Sequence, residues 1–231
     1  MTEYVEIARH ESPRGEVVLR ARHAASDAPP VLELRVNGVF VMDTQETSSE
    51  KALAAVALAQ VREPRAVVVA GLGLGFTMHE MLNDRRVEKL AVVEIEEALV
   101  RWMRDGTVPH GPAYLADERL TVVTADIRIA MTEATPATYD LVLLDIDNGP
   151  GQLVHDENES VYQQDFLAQT RAVLRPGGAL AIWSASSSAE LQATMEEVFG
   201  NAVAIPYEVT LQSRAEQYWL YLSRQSDGRP R

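Results

Sequence analysis

The sequence predicts an α/β fold in which helices cover both faces of a doubly wound, mostly parallel β-sheet. From residue 66 onward, short apolar runs alternate with helical patterns, which is typical of parallel strands joined by helices. The first of these runs, residues 67–70, stops at three alternating glycines, and the next run ends on an acid. Strand, tight turn, helix and acid in this order indicate a ligand crevice at the carboxyl ends of the strands.

A small antiparallel β unit is predicted before this sheet, over residues 1–46. The run Ser12-Pro13-Arg14-Gly15 is a turn signal between two apolar segments. Asn37-Gly38, flanked by alternating apolar residues, is the strongest short hairpin signal in the chain. A helix rich in Ala and Leu is expected next, over residues 49–60, because Ser and Thr immediately before it can cap its first turn.

The second domain, residues 47–223, is predicted as one alternating series. Its strands are expected at residues 67–70, 90–94, 120–123, 141–144 and 179–183. Helices are expected at residues 77–83, 97–103, 161–174 and 189–199, with a short one ending near residue 132, and loops around Pro109 and Pro112 and over residues 147–160. The last apolar runs, 202–209 and 218–222, indicate a closing antiparallel hairpin, and residues 224–231 are expected to be a disordered tail.

Composition limits the possible functions. The 231 residues carry a formal net charge of −13, which disfavours nucleic acid as a partner and permits a cationic small-molecule substrate. The absence of cysteine excludes disulfides, thiolate catalysis and zinc–sulfur sites. No apolar stretch approaches the length of a membrane span, and residues 1–20 lack an apolar signal region. We therefore expect a cytoplasmic protein without a membrane partner.

The glycine turn predicts a nucleoside site. Gly71, Gly73 and Gly75 let the backbone turn sharply and let a ligand approach, while the following helix directs free N–H groups toward it. Glu94, about twenty residues on, can accept hydrogen bonds from a ribose diol. The G-x-G-x-G spacing followed by the bulky Phe76 disfavours an NAD oxidoreductase and favours the shorter turn of S-adenosylmethionine-dependent enzymes. A glycine-rich loop without any ligand is the alternative.

Five motifs follow one another along the chain: GLGLG, VVEIE, TADIR, YDLVLLDIDNGP and LRPGGAL. Their order resembles the spermidine synthase family, a branch of the Rossmann-like class I methyltransferase fold. The resemblance covers nearly the whole chain, including the N-terminal β unit. It implies a transferase whose donor is S-adenosylmethionine or decarboxylated S-adenosylmethionine. It also implies a homodimer, because the N-terminal β units of this family often pair subunits.

The resemblance also implies how the nucleoside is held. The three glycines of the turn would cradle it, and Glu94 would bind the ribose. Asp126, after the third strand of the series, would contact the adenine amino group, with Ile127 beside it in the same cofactor site.

For the chemistry, the resemblance implies that Asp145 is the catalytic base and that Asp147 is a second acid nearby. A sulfonium carbon is already electrophilic, so an enzyme needs mainly to align a nucleophile with the C–S bond. If the nucleophile is an ammonium group, a carboxylate can take its proton, and two carboxylates can stabilise the cation. A helix cap or an ordinary loop acid is the alternative role for Asp145.

Several positions depart from the family pattern. The acid of the family's glycine motif is replaced by Leu74, and the glutamine after the hairpin glycine is replaced by Val41. The run that grips the polyamine is replaced by Ser49-Glu50-Lys51, and the loop after Asp145 is two residues shorter than in the family. Val69 stands where many methyltransferases carry an acid. These departures argue against spermidine synthesis itself and leave the donor, the transferred group and the acceptor open, with an amine as one candidate acceptor.

Three further residues are candidate substrate contacts. His155 lies in an acidic loop over the expected site, either as a base or substrate contact or as a solvated loop residue. Tyr162 and Trp183 flank the crevice, where they would either wall a substrate pocket or pack in the core. No set of His and carboxylate residues has convincing metal-ligand spacing, so no metal site is expected. A non-catalytic nucleoside-binding homologue is the alternative to a transferase.

Overall fold

Two β-sheets organise the structure, a computed structural model that describes residues 3–23, 29–146, 148–151 and 153–227. The first sheet is antiparallel, with its strands in the order β1-β2-β3-β4. These strands are β1 Glu3–Ser12, β2 Gly15–His23, β3 Val31–Val36 and β4 Val39–Asp43. Asn37 and Gly38 form the tight β3–β4 turn with positive φ angles of 51° and 76°. The predicted N-terminal β unit is therefore confirmed.

The second sheet has seven strands in the order β10-β11-β9-β8-β5-β6-β7. They are β5 Ala66–Ala70, β6 Lys89–Glu94, β7 Leu120–Thr124, β8 Tyr139–Leu144, β9 Leu174–Ser184, β10 Val203–Leu211 and β11 Arg214–Arg224. Strands β5 to β9 run parallel, whereas β10 and β11 form an antiparallel end. The predicted fold class is confirmed, and the strand order reverses between β5 and β8.

Helices cover both faces of this sheet. They are α1 Ser48–Gln60, α2 Phe76–Asn83, α3 Glu97–Asp105, α4 Gly111–Tyr114, α5 Ile127–Glu133, α6 Gln164–Val173 and α7 Ala189–Phe199, with a 3₁₀ helix at Asp156–Tyr162. Successive side chains of a strand point to opposite faces. Accordingly, Val67 and Val69 pack in one buried cluster with α1, α2 and α3, whereas Val68 and Ala70 pack in the other with α5, α6 and α7. This double burial explains the uninterrupted apolar run of β5.

The first sheet shares a core with the second. Val17, Leu19 and Leu34 belong to the same buried cluster as Leu53 of α1 and Trp183 of β9. This packing fixes the first sheet over the carboxyl ends of the parallel strands. Within the described ranges, no helix combines the length and the apolar composition that crossing a bilayer requires.

Two loop predictions need correction. The segment around Pro109 and Pro112 contains the short helix α4, because Pro112 stands in its first turn, where proline is well tolerated. The helix predicted over residues 161–174 begins only at Gln164, since the residues before it form the 3₁₀ helix.

The boundaries of β9 and of the tail were also wrong. The strand predicted at residues 179–183 begins earlier, at Leu174, because Leu174 pairs with Tyr139 across a register shift, and β9 therefore includes Pro176, Gly177 and Gly178. Arg224, assigned to the disordered tail, ends β11, and the Gln225 N–H donates to the Gly178 carbonyl at 2.8 Å. Backbone pairing to the edge of β9 therefore holds the chain beyond the predicted end, and residues 228–231 lie outside the described ranges.

Candidate functional site

A cleft lies at the carboxyl ends of the parallel strands, next to the reversal of strand order between β5 and β8. The first sheet covers it with Arg14, Val41 and Met42. The three acids that the sequence places at strand ends all line this cleft, namely Glu94, Asp126 and Asp145. The topology brings them together because the carboxyl ends of parallel strands share one edge of the sheet.

The glycine turn joins β5 to α2 at the floor of the cleft. Gly71, Gly73 and Gly75 all have positive φ, at 95°, 50° and 87°, a conformation that glycine adopts without strain. A Cβ atom on Gly71 would lie only 1.9 Å from the carbonyl oxygen of Asp145. The turn therefore passes directly against the end of β8. Phe76 packs inside the protein, with its ring centroid 5.4 Å from that of His110.

Glu94 fastens the glycine turn to the end of β6. Its Oε2 accepts the Leu72 N–H and its Oε1 accepts the Glu96 N–H, each at 2.8 Å. Burial raises the pKa of the Glu94 carboxyl, and these two backbone donors oppose that shift. A ribose diol would have to use the remaining lone pairs of the same two oxygens.

Asp126 caps helix α5 and holds an arginine. Its Oδ1 accepts the Arg128 N–H at 2.8 Å, and the Arg128 guanidinium contacts both carboxylate oxygens. The Arg128 side chain is the main reason that the pKa of Asp126 lies below its ordinary value. Ile127, the next residue, is buried and lines the cleft. For Asp126 to contact an adenine amino group, the Arg128 guanidinium would have to move aside.

Asp145 follows β8 at the centre of the cleft floor. The Thr77 hydroxyl donates to its Oδ2 at 2.6 Å. Loss of hydration raises the pKa of Asp145 from 3.8 to about 6, although the Thr77 hydrogen bond opposes this shift. Such a carboxyl can accept a proton near neutral pH and hold it. Asp147, the predicted second acid, lies outside the described residues.

Glu50, expected only as a departure from a family motif, is a residue of the cleft. It lies in the first turn of α1, is 7% exposed, and accepts a hydrogen bond from the Ser49 hydroxyl at 2.8 Å. Burial raises its pKa to about 7, and repulsion from Asp145 adds to the shift. The sequence does contain a sign that Glu50 is buried. Glu50 lies at helical spacing from Leu53, Ala54 and Ala57, on the apolar face of α1.

Leu74 is fully buried in the core rather than in the cleft. Its carbonyl lies 2.8 Å from His110 Nε2, and its N–H points at the Met42 sulfur at 3.2 Å. The position at which the resemblance calls for an acid is thus part of the packing between the glycine turn, α4 and β4. Val41, the second departure, lines the cleft with an apolar side chain.

The three candidate substrate contacts fall in different places. Trp183, at the end of β9, lines the cleft and packs against Tyr218 with a ring distance of 4.8 Å. His155 also lines the cleft, immediately before the 3₁₀ helix. Tyr162 is buried in the core cluster with α5 and α6, so core packing, the alternative role expected for it, matches its position.

Arg14 was predicted only as part of a turn and was not recognised as a residue of the cleft. It extends from the β1–β2 turn to the rim of the cleft, where its Nε lies 3.0 Å from Glu96 Oε1. Its Nη1 lies 3.6 Å from Glu157 of the 3₁₀ helix. No local pattern could have identified this contact, because it depends on how the first sheet packs on the second. Within the described part of the chain, no group of three or more His, Asp or Glu side chains is placed to hold a metal ion.

A family model described as the spermine/spermidine synthase domain matches residues 46–227. The chain belongs to this family. The family resemblance of the five motifs is therefore confirmed. The chain is 32% identical over 124 residues to polyamine aminopropyltransferase 2 of Pseudomonas aeruginosa, covering 52% of this chain and 33% of that protein. It is 30% identical over 121 residues to putrescine N-methyltransferase 3 of Nicotiana tabacum, covering 52% of this chain and 30% of that protein. Both relatives are transferases, and each match spans about a third of the relative's length.

Solved structures of the family share the fold of this chain. A spermidine synthase in complex with the transition state analogue AdoDATO aligns with a TM-score of 0.81 at 15% identity, covering 96% of this chain and 74% of that one. The spermidine synthase from Thermotoga maritima aligns with a TM-score of 0.79 at 15% identity, covering 96% of this chain and 73% of that one. At this identity, the likeness supports the architecture of both sheets.

Proposed function

We propose that this member of the spermidine synthase family is an alkyltransferase that uses S-adenosylmethionine or its decarboxylated form. The observation that carries the proposal is the carboxyl of Asp145, which accepts a hydrogen bond from the Thr77 hydroxyl in the first turn of α2, directly after the glycine turn, and has its pKa raised to about 6. At pH 7 such a group is mostly ionised, yet it is basic enough to take a proton from a nucleophile. The relatives' names support both methyl transfer and aminopropyl transfer as the reaction class.

The proposed step is a direct displacement at carbon. The nucleophile, freed of its proton by Asp145, forms a bond to the carbon attached to the sulfonium sulfur. The C–S bond breaks, and its electron pair stays on sulfur, which becomes a neutral thioether. Methyl transfer would leave S-adenosylhomocysteine, and aminopropyl transfer would leave methylthioadenosine. The glycine turn, Glu94 and Asp126 would orient the nucleoside for this in-line attack.

Putrescine is expected to be a poor acceptor. Decarboxylated S-adenosylmethionine and putrescine together carry three amino groups, each of which calls for an acid or another polar partner. Leu74 is buried in the core and Val41 is apolar. Glu94, Glu96 and Asp126 already hold backbone N–H groups or arginines. Among the described cleft acids, this leaves Glu50 and Asp145 for three amino groups.

Product analysis tests the proposal directly. The protein is incubated with each donor and a panel of amines, including putrescine, and methylthioadenosine and S-adenosylhomocysteine are quantified by chromatography. We expect one of the two products with an acceptor other than putrescine. Asp145→Asn should lower the rate about 100-fold or more, while nucleoside affinity stays within about threefold. Rapid spermidine formation would contradict the expectation for putrescine, and the absence of both products across the panel would contradict the transferase.

A further inference from the structure

Among the described residues, the acids that are buried or line the cleft are, with two exceptions, matched by cations or by backbone N–H groups of other residues. Glu94 accepts two N–H groups, as described above. Arginine side chains match the others: Glu33 with Arg20 and Arg35, Asp43 with Arg22, Glu96 with Arg14, and Asp140 with Arg175. Such pairing is expected, because a buried carboxylate without a counter-charge is strongly unfavourable.

Glu50 and Asp145 are the exceptions. In the described part of the chain, the Ser49 and Thr77 hydroxyls are the side-chain donors to these two carboxyls, and the backbone N–H of Glu50 itself is a further donor to the Glu50 carboxyl. Among the described residues, no Arg, Lys or His is a cause of the pKa shift of either carboxyl. Lys51, the next residue along α1, is directed elsewhere, with its Nζ 5.9 Å from the Phe76 ring centroid. The cleft therefore contains two acids close enough for Asp145 to raise the pKa of Glu50, and the described residues supply no counter-charge for them.

An incompletely bonded indole adjoins the same two acids. Leu144 pairs with Ile182 across β8 and β9, so the residues that follow them, Asp145 and Trp183, lie side by side at the cleft floor. Trp183 is 7% exposed, and its Nε1 has no hydrogen-bond partner among the described residues. Indole rings also attract cations. An ammonium group has no acceptor for the indole N–H, so the ring face of Trp183, and not its Nε1, is the part that would contact a cation beside the two carboxyls.

Tyr218 does not neutralise the pair. It packs on Trp183, and burial together with the Glu50 charge raises its pKa to about 12. Its phenol therefore stays uncharged, and the charged groups that raise its pKa are all acids. Within the described ranges, no cation supplies the counter-charge that the two acids would need in order to be ionised together.

We propose that Glu50 determines the charge of the substrate: together with Asp145 it binds one primary ammonium group beside the Trp183 indole. The proposal rests on the proposed transferase, because Asp145 belongs to both. A cation between two close carboxyls lets both ionise, which they resist when alone. A primary ammonium has three N–H donors, enough to reach both acids. The ammonium could come from the tail of the donor or from the acceptor.

Calorimetric titration with three probes distinguishes these sources. Methylthioadenosine carries the nucleoside and a neutral sulfur without an amine. S-adenosyl-3-thiopropylamine adds a donor-like ammonium tail to the same neutral sulfur. Propylamine, titrated into protein saturated with methylthioadenosine, represents the acceptor. No turnover is possible with these probes, so the outcome is independent of whether the transferase activity is found.

Glu50→Gln keeps the shape of the side chain and removes its charge. We expect it to weaken one ammonium-bearing probe at least tenfold and to leave methylthioadenosine within twofold. A loss of affinity for S-adenosyl-3-thiopropylamine assigns the site to the donor, and a loss of affinity for propylamine assigns it to the acceptor. Glu190→Gln, at an exposed acid in the first turn of α7, is the control and should change none of the three affinities.

Asp145→Asn provides a second test in case Glu50→Gln fails to fold, and the same selective loss is expected. Equal weakening of all three probes would overturn the proposal, since it would indicate a structural role for Glu50. Unchanged affinity for both ammonium probes would overturn it too. So would a wild-type protein that gains no affinity from the thiopropylamine tail and does not bind propylamine.

Discussion

At the scale of single residues, the cleft acids differ in what they already hold. Glu94 and Asp126 are occupied by groups of the protein itself, two backbone N–H groups in one case and Arg128 in the other. A nucleoside would add hydrogen bonds at Glu94 but would have to displace an arginine at Asp126. Recognition of the adenine amino group by Asp126 therefore stays a prediction that requires movement, whereas ribose binding by Glu94 requires none.

Asp145 gives a prediction for stability against pH. Its pKa is raised in the folded protein, from 3.8 to about 6, so between these values the folded state binds more protons than the unfolded state. The free energy of unfolding therefore falls as pH rises through this window. Above it, the carboxyl is ionised in both states, so Asp145 causes no further fall. Asp145→Asn removes the effect, so the variant should gain roughly 1–2 kcal/mol relative to wild type between pH 4 and pH 6.

Urea denaturation of both proteins from pH 4 to pH 8 measures this difference. Glu50 titrates in wild type and variant alike, so most of its own slope cancels. A difference that stays constant across the window would show that Asp145 has an ordinary pKa. The base role proposed for Asp145 would then lose its main support.

At the scale of elements, the glycine turn is fixed by its contact with the end of β8. Gly71→Ala should destabilise the protein by more than about 3 kcal/mol, because left-handed strain of about 1–2 kcal/mol adds to a clash with the Asp145 carbonyl. Gly200→Ala is the matched control, since Gly200 also has positive φ, at 74°, but a Cβ there would meet nothing within 4 Å. Urea unfolding of both variants checks this, and equal losses would contradict the packing described for the turn.

The elements also show which parts of the fold the sequence can predict. The helices and strands around the cleft follow from local patterns, because the two-sided burial of β5 and the glycine turn leave direct traces in the sequence. The β9 boundary was wrong because Leu174 is drawn into the sheet by pairing with Tyr139, which is distant in sequence. The 3₁₀ helix was missed because its polar sequence has no apolar periodicity.

The candidate site shows the same division between local and distant information. Glu94, Asp126 and Asp145 could be placed in one crevice because a general rule links strand ends to ligand sites. Glu50 and Arg14 come from α1 and from the first sheet, whose docking over the crevice no local pattern encodes. The spacing of Glu50 with the apolar face of α1 was the one available clue.

At the scale of the whole molecule, the expected homodimer remains a prediction. In the described part of the chain, β1 pairs only with β2, which leaves an open edge. Tyr4, Val5 and Ile7 on this strand are 45%, 40% and 45% exposed. Edge strands with apolar side chains readily pair with another chain. We therefore expect a particle of twice the chain mass, with β1 at its interface.

Light scattering coupled to size-exclusion chromatography tests this expectation. Ile7→Arg should shift the particle toward the monomer. Val203→Arg is the control, because Val203 lies on the edge strand of the other sheet and is 56% exposed. A monomeric wild type, or a dimer that Val203→Arg disrupts and Ile7→Arg does not, would contradict pairing through β1.

The Arg14 contact at the rim has a kinetic consequence. Arg14 joins the first sheet to Glu96, whose side chain is 12% exposed, and to Glu157, whose side chain is 67% exposed. Salt screens exposed charges far more than partly buried ones. Rising ionic strength should therefore release the 3₁₀ helix from Arg14 while the bond to Glu96 persists. The 3₁₀ helix would then keep its contacts with Arg128 but lose its link to the first sheet, and the exchange rate of a bound nucleoside would depend on salt more strongly than its affinity does.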